Sequence, residues 1–128
     1  MSTSDGSFAR AAAAVRLVHP FPSLLDGLVV AAVSLLAGAT PLLAIRLGLS
    51  MVALQASIGA LNDLHDAPDD AGRKAGKPIP AGLVSAPAAR AVVAGAAAIG
   101  LGLASLAAIW WPAQRATRTD PIIALKEE

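Results

Sequence analysis

The chain has 128 residues, of which more than half are apolar and few are aromatic, and its mean hydropathy is clearly positive. These values lie outside the usual range of soluble domains and inside that of integral membrane proteins. A formal net charge of +1 provides no basic surface of the kind that binds nucleic acid, so no nucleic-acid partner is expected. Because the sequence contains no cysteine, disulfides, thiolate metal sites and cysteine nucleophiles are excluded.

The N-terminal part of the chain lacks a long apolar stretch. Met1 to Ser7 is small and polar and is expected to be disordered, and Phe8 to Val18 carries two arginines among alanines. This composition predicts a short helix at the membrane surface, with its basic residues toward lipid headgroups. The prolines of His19 to Ser23 then break the helix, because proline removes a backbone donor and restricts the residue before it. Residues 1–15 are therefore assigned to a disordered or interfacial N-terminus.

Three apolar stretches follow, in agreement with a length that accommodates about three spanning helices of about 20 residues each. Leu24 to Ile45 is the first, with Arg46 as a very short turn after it. Leu47 to Leu61 is the second, and at about 22 Å it is too short to cross a core of about 30 Å. Ala91 to Trp111 is the third, and Pro112 is expected to end it. The predicted fold class is all-α and integral to the membrane, with about three transmembrane helices and a short interfacial helix.

Individual residues in these stretches carry further predictions. Pro41 is expected to kink or end the first span near its far end. Asp26 closely follows Ser23 and is either an acidic residue favoured by the helix dipole or a ligand. Small residues recur at every fourth position of the third span, and they either let another helix approach closely or reflect chance in an alanine-rich sequence; they are Ala96, Gly100, Ala104 and Ala108.

Charged residues crowd together in one stretch, Asn62 to Gly82, which reads NDLHDAPDDAGRKAGKPIPAG. On an unbroken helix Asn62, Asp66 and Asp70 drift by only about 40° per step and share a face, which Asp63 flanks. Carboxylate and amide oxygens without imidazole or thiolate suit a hard cation, and Mg²⁺ commonly takes one or two carboxylates together with a substrate phosphate. The stretch therefore predicts a site for Mg²⁺ and a diphosphate, or else a solvated polar loop between helices.

The surroundings of this stretch modify the prediction. Because the preceding apolar segment is short, the carboxylates are expected to begin at membrane depth, where ionisable groups are costly unless they serve a function. Pro68 weakens the shared face beyond Asp66. His65 and His19 are assigned interfacial and structural roles. Three basic residues could bind the phosphate oxygens that the metal leaves free, or could anchor the chain at the cytoplasmic surface; they are Arg73, Lys74 and Lys77.

The pattern Asn62-Asp63-x-x-Asp66-x-x-x-Asp70, followed by Gly76-Lys77-Pro78-Ile79-Pro80-Ala81-Gly82, resembles the first aspartate-rich motif of the UbiA superfamily of intramembrane prenyltransferases. The similarity runs from about Arg16 to Trp110 and implies the first part of a bundle of about nine helices. In that superfamily the motif binds Mg²⁺ and thereby the diphosphate of a polyprenyl donor, whose prenyl group passes to an aromatic or other lipid-pathway acceptor. The resemblance assigns these binding roles to Asn62, Asp63, Asp66 and Asp70.

The sequence departs from the superfamily because it carries no second aspartate-rich motif, so a truncated prenyltransferase region is expected at residues 16–111. Lys77 also stands where the superfamily often has arginine. The sequence of residues 111–126, WPAQRATRTDPIIALK, resembles the cytoplasmic end of FtsX/MacB-type permeases of ABC transporters. Residues 112–128 are therefore assigned to a permease-like tail.

Two functions and one location follow from these features. The first function is a prenyltransferase fragment whose missing carboxylates come from self-association or from a partner. The second is a non-catalytic small membrane protein, the relic of a rearrangement. Six basic residues on one side of the predicted spans against four on the other favour a cytoplasmic N-terminus and motif loop. The expected location is the bacterial inner membrane.

Overall fold

The computed structural model describes residues 3–74 and 76–118, and within these ranges all regular structure is helical. Four helices follow one another along the chain: α1 (Thr3–Leu17), α2 (Pro20–Leu36), α3 (Pro41–Asp70) and α4 (Ala86–Arg118). α3 lies in the middle, packs against both α2 and α4, and makes a smaller contact with α1. The all-α prediction is confirmed for the part of the chain that the structure describes.

Two helices are long and apolar enough to cross a membrane, Pro41–Asp70 and Ala86–Trp110. A third crossing requires Gly6–Leu17 and Pro20–Leu36 to be taken together, and these two helices are bent by 43° at the break between them. α2 alone extends about 26 Å, slightly less than the hydrocarbon core of a bilayer. The chain therefore has the helices of an integral membrane protein with two or three crossings.

The boundary between α2 and α3 differs from the predicted one. α2 ends at Leu36 and α3 begins at Pro41, so the predicted span Leu24 to Ile45 is wrong, and Arg46 lies inside α3 instead of in a turn. The new start makes α3 a full-length span, because Pro41 to Leu61 extends about 32 Å as a helix. The carboxylates therefore follow a helical segment that is long enough to cross the hydrocarbon core, so the short segment from which membrane depth was inferred is not present.

Local chemistry explains why α3 begins at Pro41. Gly38 takes a φ of +86° in the turn after α2, a conformation open to glycine. Thr40 then caps α3, since its side-chain oxygen accepts a hydrogen bond from the backbone N–H of Leu43 at 3.3 Å. Proline fits the first helical position because its φ is already helical and its missing N–H is not needed there.

The two ends of the chain also differ from the predictions. α1 already begins at Thr3, because a helix that has formed extends at little cost, whereas the sequence predicts disorder up to Ser7. Met1 and Ser2 lie outside the described residues. α4 continues through Pro112, where the sequence predicts its end, and membrane helices tolerate such interior prolines. Residues 119–128 of the predicted permease-like tail lie outside the described residues.

Glycines determine how closely the helices cross. Gly27 of α2 faces Gly48 of α3, and a Cβ on either one would lie 2.8 Å from the carbonyl oxygen of the other. Gly100 of α4 faces Leu54 of α3, and a Cβ there would lie 2.7 Å from Leu54 Cγ. The close approach predicted for the small-residue face of the third span is thus confirmed at Gly100.

Hydrogen bonds between helices accompany these crossings. The Ser50 hydroxyl of α3 donates to the Gly100 carbonyl of α4 at 2.7 Å, and the Ser57 hydroxyl donates to the Val93 carbonyl at 2.8 Å. Such hydroxyl contacts are a common means of joining helices in lipid, where no water competes for them.

Asp26 has a partner on the neighbouring helix. α2 begins at Pro20, so Asp26 lies beyond its first turn and the helix-dipole interpretation is wrong. Its carboxylate accepts a hydrogen bond from the side-chain amide of Gln55 on α3. A half-buried carboxylate between two helices is thereby paired with a donor, as buried polar groups require.

The apolar core lies next to the acidic end of α3. Leu17, Ala60 and Ala89 are fully buried and come from α1, α3 and α4 respectively. Partly buried side chains from α3, α4 and the loop between them pack around this centre; they are Leu64, Ile79, Val84, Val92 and Val93. The core therefore fixes the C-terminal part of α3 against the segments that contribute to the candidate site.

Candidate functional site

The acidic end of α3 places its carboxylates in two environments. Asp63 and Asp70 are buried, with relative exposures of 5% and 4%, whereas Asn62 and Asp66 are exposed. Seven residues correspond to about two helical turns, so Asp63 and Asp70 lie on the same face. α3 remains helical through Pro68, which preserves this alignment. The inward face thus carries Asp63 and Asp70, and not the predicted row of Asn62, Asp66 and Asp70.

The loop after α3 brings Lys77 back to these carboxylates. Gly76 has a φ of +89°, which side chains disfavour, and it reverses the chain just before Lys77. The following turn is closed by the Pro78 carbonyl, which accepts hydrogen bonds from the backbone N–H groups of Leu83 and Val84 at 3.0 and 3.2 Å. Because Pro78 is also buried, the proline-rich segment holds Lys77 in a defined place.

The Lys77 ammonium group is shared by both buried carboxylates. Its Nζ donates a hydrogen bond to Asp63 Oδ1 and lies 3.7 Å from Asp70 Oδ2. Lys74 Nζ pairs with the other oxygen of Asp70 at 2.8 Å. The hydrogen bond to Asp63 raises the pKa of Lys77 above its ordinary value against the opposing effect of partial burial, and attraction to Asp63, Asp70 and Asp66 adds to the rise. Lys77 therefore remains charged at neutral pH.

His19, at the break between α1 and α2, lies beside the same carboxylate. Its Nε2 is buried and lies 3.3 Å from Asp63 Oδ1 without hydrogen-bond geometry, and its imidazole ring packs against Gly59 of α3. The sequence predicts only a structural role for His19, and it contains no signal that would bring the two residues together. Their proximity follows from the packing of the α1–α2 break against α3, which is a tertiary feature.

These side chains surround an open cavity of about 510 Å³. Its lining is mainly basic and polar and consists of Arg16, His19, Asp63, Lys74, Gly76, Lys77 and Pro78. Arg16 is a further lining residue that the sequence places only on the interfacial helix. A cavity with several cationic side chains and one buried carboxylate, that of Asp63, can hold an anion together with a metal ion.

Four of the predicted site residues do not line this cavity, namely Asn62, Asp66, Asp70 and Arg73. Asn62 borders a smaller cavity of about 180 Å³ between α2 and α3, and Arg73 lines one of about 420 Å³ formed by the loop. Asp66 is exposed. No three carboxylate or imidazole groups within the described ranges meet at the spacing of a metal site. Of the four predicted metal ligands, the structure brings Asp63 and Asp70 together, and the full ligand set stays a prediction.

The buried pair has the donor atoms that a hard cation requires. Asp63 and Asp70 present carboxylate oxygens toward one cationic group, and Asp70 Oδ2 is buried without a hydrogen bond in the described structure. Mg²⁺ binds through one or two carboxylates and completes its shell with water and phosphate oxygens. The residues present therefore fit Mg²⁺.

Comparison with known proteins gives one match. A model of the UbiA prenyltransferase family matches residues 21–115, which include α2, α3, the loop and most of α4. No curated protein and no solved structure matches the chain significantly. The predicted resemblance of residues 111–126 to transporter permeases finds no support in these comparisons.

Proposed function

The chain belongs to the UbiA prenyltransferase family, and from this membership we propose that it binds Mg²⁺ and a polyprenyl diphosphate at the acidic end of α3. The prenyl group of this donor is transferred to an aromatic or other lipid-pathway acceptor. The observation that carries the proposal is the buried pair Asp63 and Asp70, which share one cation beside a cavity with basic walls. A lipid substrate also suits a protein whose helices cross the membrane.

The site residues divide between the metal ion and the phosphate groups. When bound, Mg²⁺ would supply positive charge for the departing diphosphate. Asp63 and Asp70 would hold the ion. Asn62 and Asp66 lie on the adjacent, exposed side of α3, from which they could add oxygen donors. The phosphate oxygens that remain are bound by three cationic side chains of the loop, namely Arg73, Lys74 and Lys77.

Lys77 cannot serve the carboxylates and the diphosphate at the same time. In the structure its ammonium group neutralises Asp63 and Asp70. Like charges repel strongly at contact distance in a partly buried site, so Lys77 and a divalent cation exclude each other from this pair. Lys77 therefore turns from the carboxylates to the phosphate oxygens when the donor binds.

We propose that a complete site needs further carboxylates besides those of the one aspartate-rich motif in residues 1–128, and that they come from outside these residues. The alternative function, a non-catalytic membrane protein, leaves the carboxylates in a solvated loop. The burial of Asp63 and Asp70 favours the binding function, because a solvated loop has no reason to bury charges.

The location belongs to the same proposal. Arg16, Lys74 and Lys77 gather at the acidic end of α3, and Arg73 follows on the same loop. Clustered basic residues next to spanning helices favour the cytoplasmic side. We place the acidic end at the cytoplasmic surface of the bacterial inner membrane.

Calorimetric titration in detergent with farnesyl diphosphate, with and without Mg²⁺, tests the binding function. We expect Mg²⁺-dependent binding that Asp63→Asn weakens about tenfold, since a charge-assisted contact to the ion is lost. Asp69→Asn is the matched control, because Asp69 is an exposed carboxylate of the same helix. Binding that does not depend on Mg²⁺, or that is equal in wild type and Asp63→Asn, would remove the proposal.

A further inference from the structure

We propose that His19 is a positioning residue for Asp63: the break between α1 and α2 holds the imidazole ring against the buried carboxylate and thereby sets the affinity of the site for a divalent cation. The inference rests on the proposed function, because the orientation of Asp63 matters to metal affinity only if its carboxylate binds a metal ion. It extends the site to a residue outside the aspartate-rich motif and outside the loop that follows it.

The backbone at His19 provides the first observation. His19 has φ 48° and ψ 62°, a left-handed conformation that a Cβ disfavours. It is the one residue other than glycine with a positive φ in the described ranges, where four glycines take up the other such positions: Gly38, Gly72, Gly76 and Gly82. A turn that needed only this backbone shape would be best served by glycine. The presence of histidine indicates that the side chain is required.

The local turn makes no use of that side chain. His19 precedes the first residue of α2, yet its side chain makes no capping hydrogen bond to the helix. The turn is closed by backbone hydrogen bonds, from His19 N–H to the Arg16 carbonyl and from Ser23 N–H to the His19 carbonyl. The imidazole is therefore free of a structural duty in its own segment, and its use lies in the contact with α3.

α3 provides matching space for the ring. A Cβ at Gly59 would lie 2.8 Å from His19 Cδ2 and 3.1 Å from His19 Cγ, so any other residue at position 59 would displace the imidazole. Gly59 precedes Asp63 by four residues and lies on the same face of the helix. A strained residue on one segment and a missing side chain on the other thus combine to bring Nε2 to 3.3 Å from Asp63 Oδ1.

This contact acquires its function when Lys77 leaves the carboxylate. Both Lys77 Nζ and His19 Nε2 lie against the same oxygen, Asp63 Oδ1. Once Lys77 turns to the diphosphate, His19 is the group that still orients this oxygen and directs the other one toward the cavity. Groups that orient a metal ligand from behind commonly change metal affinity by about 10- to 100-fold when they are removed.

The test compares the affinity for Mn²⁺ alone, measured by electron paramagnetic resonance in detergent, with the thermal stability of the same variants. His19→Gly removes the ring and relieves the backbone strain, so we expect an unchanged or higher melting temperature but an affinity about tenfold lower. His19→Gln keeps a polar side chain of similar reach beside Asp63 and should recover most of the affinity. His65→Ala, which removes an exposed histidine of α3, serves as the control and should leave the affinity unchanged.

The possible failures are distinguishable. If His19→Gly melts at a lower temperature and binds Mn²⁺ as the wild type does, while Asp63→Asn loses binding, then His19 is structural and only the positioning role is overturned. If the wild type does not bind Mn²⁺, or binds it as Asp63→Asn does, then the proposed metal site fails and the role of His19 fails with it.

Discussion

At Lys77 a single side chain occupies the place where a metal ion would be needed. Its Nζ touches both buried carboxylates, and the turn around Pro78 holds it there. A tethered cation of this kind stabilises the buried pair, because two buried carboxylates without a counter-charge would be strongly unfavourable. Under the proposed function the same contact would compete with a metal ion. The stability of the ion pairs and the proposed affinity for a metal are therefore opposed at this residue.

The proposed competition between Lys77 and a metal ion predicts that Lys77→Met changes the affinity for the metal and the affinity for the diphosphate in opposite directions. Lys77→Met keeps most of the side-chain volume but removes the charge. We therefore expect Mn²⁺ alone to bind about tenfold more tightly, which corresponds to about 1.4 kcal/mol of binding free energy. The affinity for farnesyl diphosphate in the presence of Mg²⁺ should fall, because a phosphate contact is lost. For the measurement with Mn²⁺ alone, Arg73→Met removes an exposed charge of the same loop and is the control for general electrostatics. Equal Mn²⁺ affinities of wild type and Lys77→Met would contradict the competition.

The pH dependence of stability offers a second measurement on Lys77. Its pKa is raised above the ordinary 10.5, chiefly by the hydrogen bond to Asp63. A raised pKa of a basic group means that its contribution is fully present below the ordinary value and is lost as the pH rises through the raised value. The difference in unfolding free energy between wild type and Lys77→Met should thus be constant from about pH 7 to 9 and shrink only in strong alkali. A difference that already shrinks near neutral pH would be inconsistent with a raised pKa.

The sequence predicts the location of the site but not its inward face. The polar positions of this stretch span about a third of the helix circumference, so spacing alone does not decide which of them are buried; they are Asn62, Asp63, Asp66, Asp69 and Asp70. The packing of α1, the loop and α4 decides in favour of Asp63 and Asp70. His19 could not be predicted at all, because its contact with Asp63 joins residues far apart in the chain.

On the scale of the helices, the sequence between α2 and α3 contains residues that mark a helix boundary. The sequence from Gly38 to Pro41 combines a glycine after a helix, a capping threonine and a proline at the first helical position. Together these residues are typical of one helix ending and the next beginning. Pro41 taken alone allows a kink as well, and a kink keeps the apolar stretch in one piece. The wrong boundary of the span, and the short second segment that it implies, both follow from the kink interpretation.

The cap of α3 can be tested directly. Thr40→Ala removes the oxygen that accepts the hydrogen bond from Leu43 N–H, so we expect a loss of about 1 kcal/mol in unfolding free energy. The control is Ser105→Ala, where an exposed hydroxyl bonds only to the Leu101 carbonyl of its own helix. This second change should be nearly neutral. Unfolding in mixed detergent micelles measures both, and an equal effect of the two substitutions would argue against the cap.

Two glycines of α4, Gly100 and Gly102, allow the close crossing of α3 and α4 to be tested. Gly100→Ala forces a methyl group to within 2.7 Å of Leu54 Cγ and should cost about 1–3 kcal/mol of unfolding free energy. Gly102→Ala meets no other atom within 4 Å and should be neutral or stabilising by about 0.5–1 kcal/mol, because it reduces backbone freedom. The same micelle unfolding experiment distinguishes them. If both substitutions had the same effect, the close approach at Gly100 would not contribute to stability.

Over the whole molecule, the antiparallel helices separate two chemically different ends. The acidic end gathers the α1–α2 break, the end of α3 and the loop that carries Lys77. At the other end the guanidinium of Arg46 lies 5.4 Å from the centre of the Trp110 ring, a cation–π contact between α3 and α4. An apolar cavity of about 480 Å³ lies near that end, where Leu43 and Leu47 of α3 face Ala107 of α4. The cavity lined by several cationic side chains therefore lies at the acidic end.

This separation predicts that the two ends of α3 react from opposite sides of the membrane. The absence of cysteine gives a clean background for single-cysteine labelling. Ala71→Cys follows the acidic end of α3 and Ala37→Cys precedes its other end, and both positions are exposed, so the two small substitutions form a matched pair. α3 extends about 45 Å, more than the thickness of the hydrocarbon core.

In intact bacterial cells an impermeant maleimide should label Ala37→Cys, whereas Ala71→Cys should react only after the inner membrane is permeabilised. The expected direction follows from the basic residues at the acidic end, which favour the cytoplasm. Labelling of both cysteines in intact cells would mean that α3 does not cross the membrane. Labelling of Ala71→Cys alone would keep the crossing but reverse the orientation, and the diphosphate site would then face away from the compartment in which we place it.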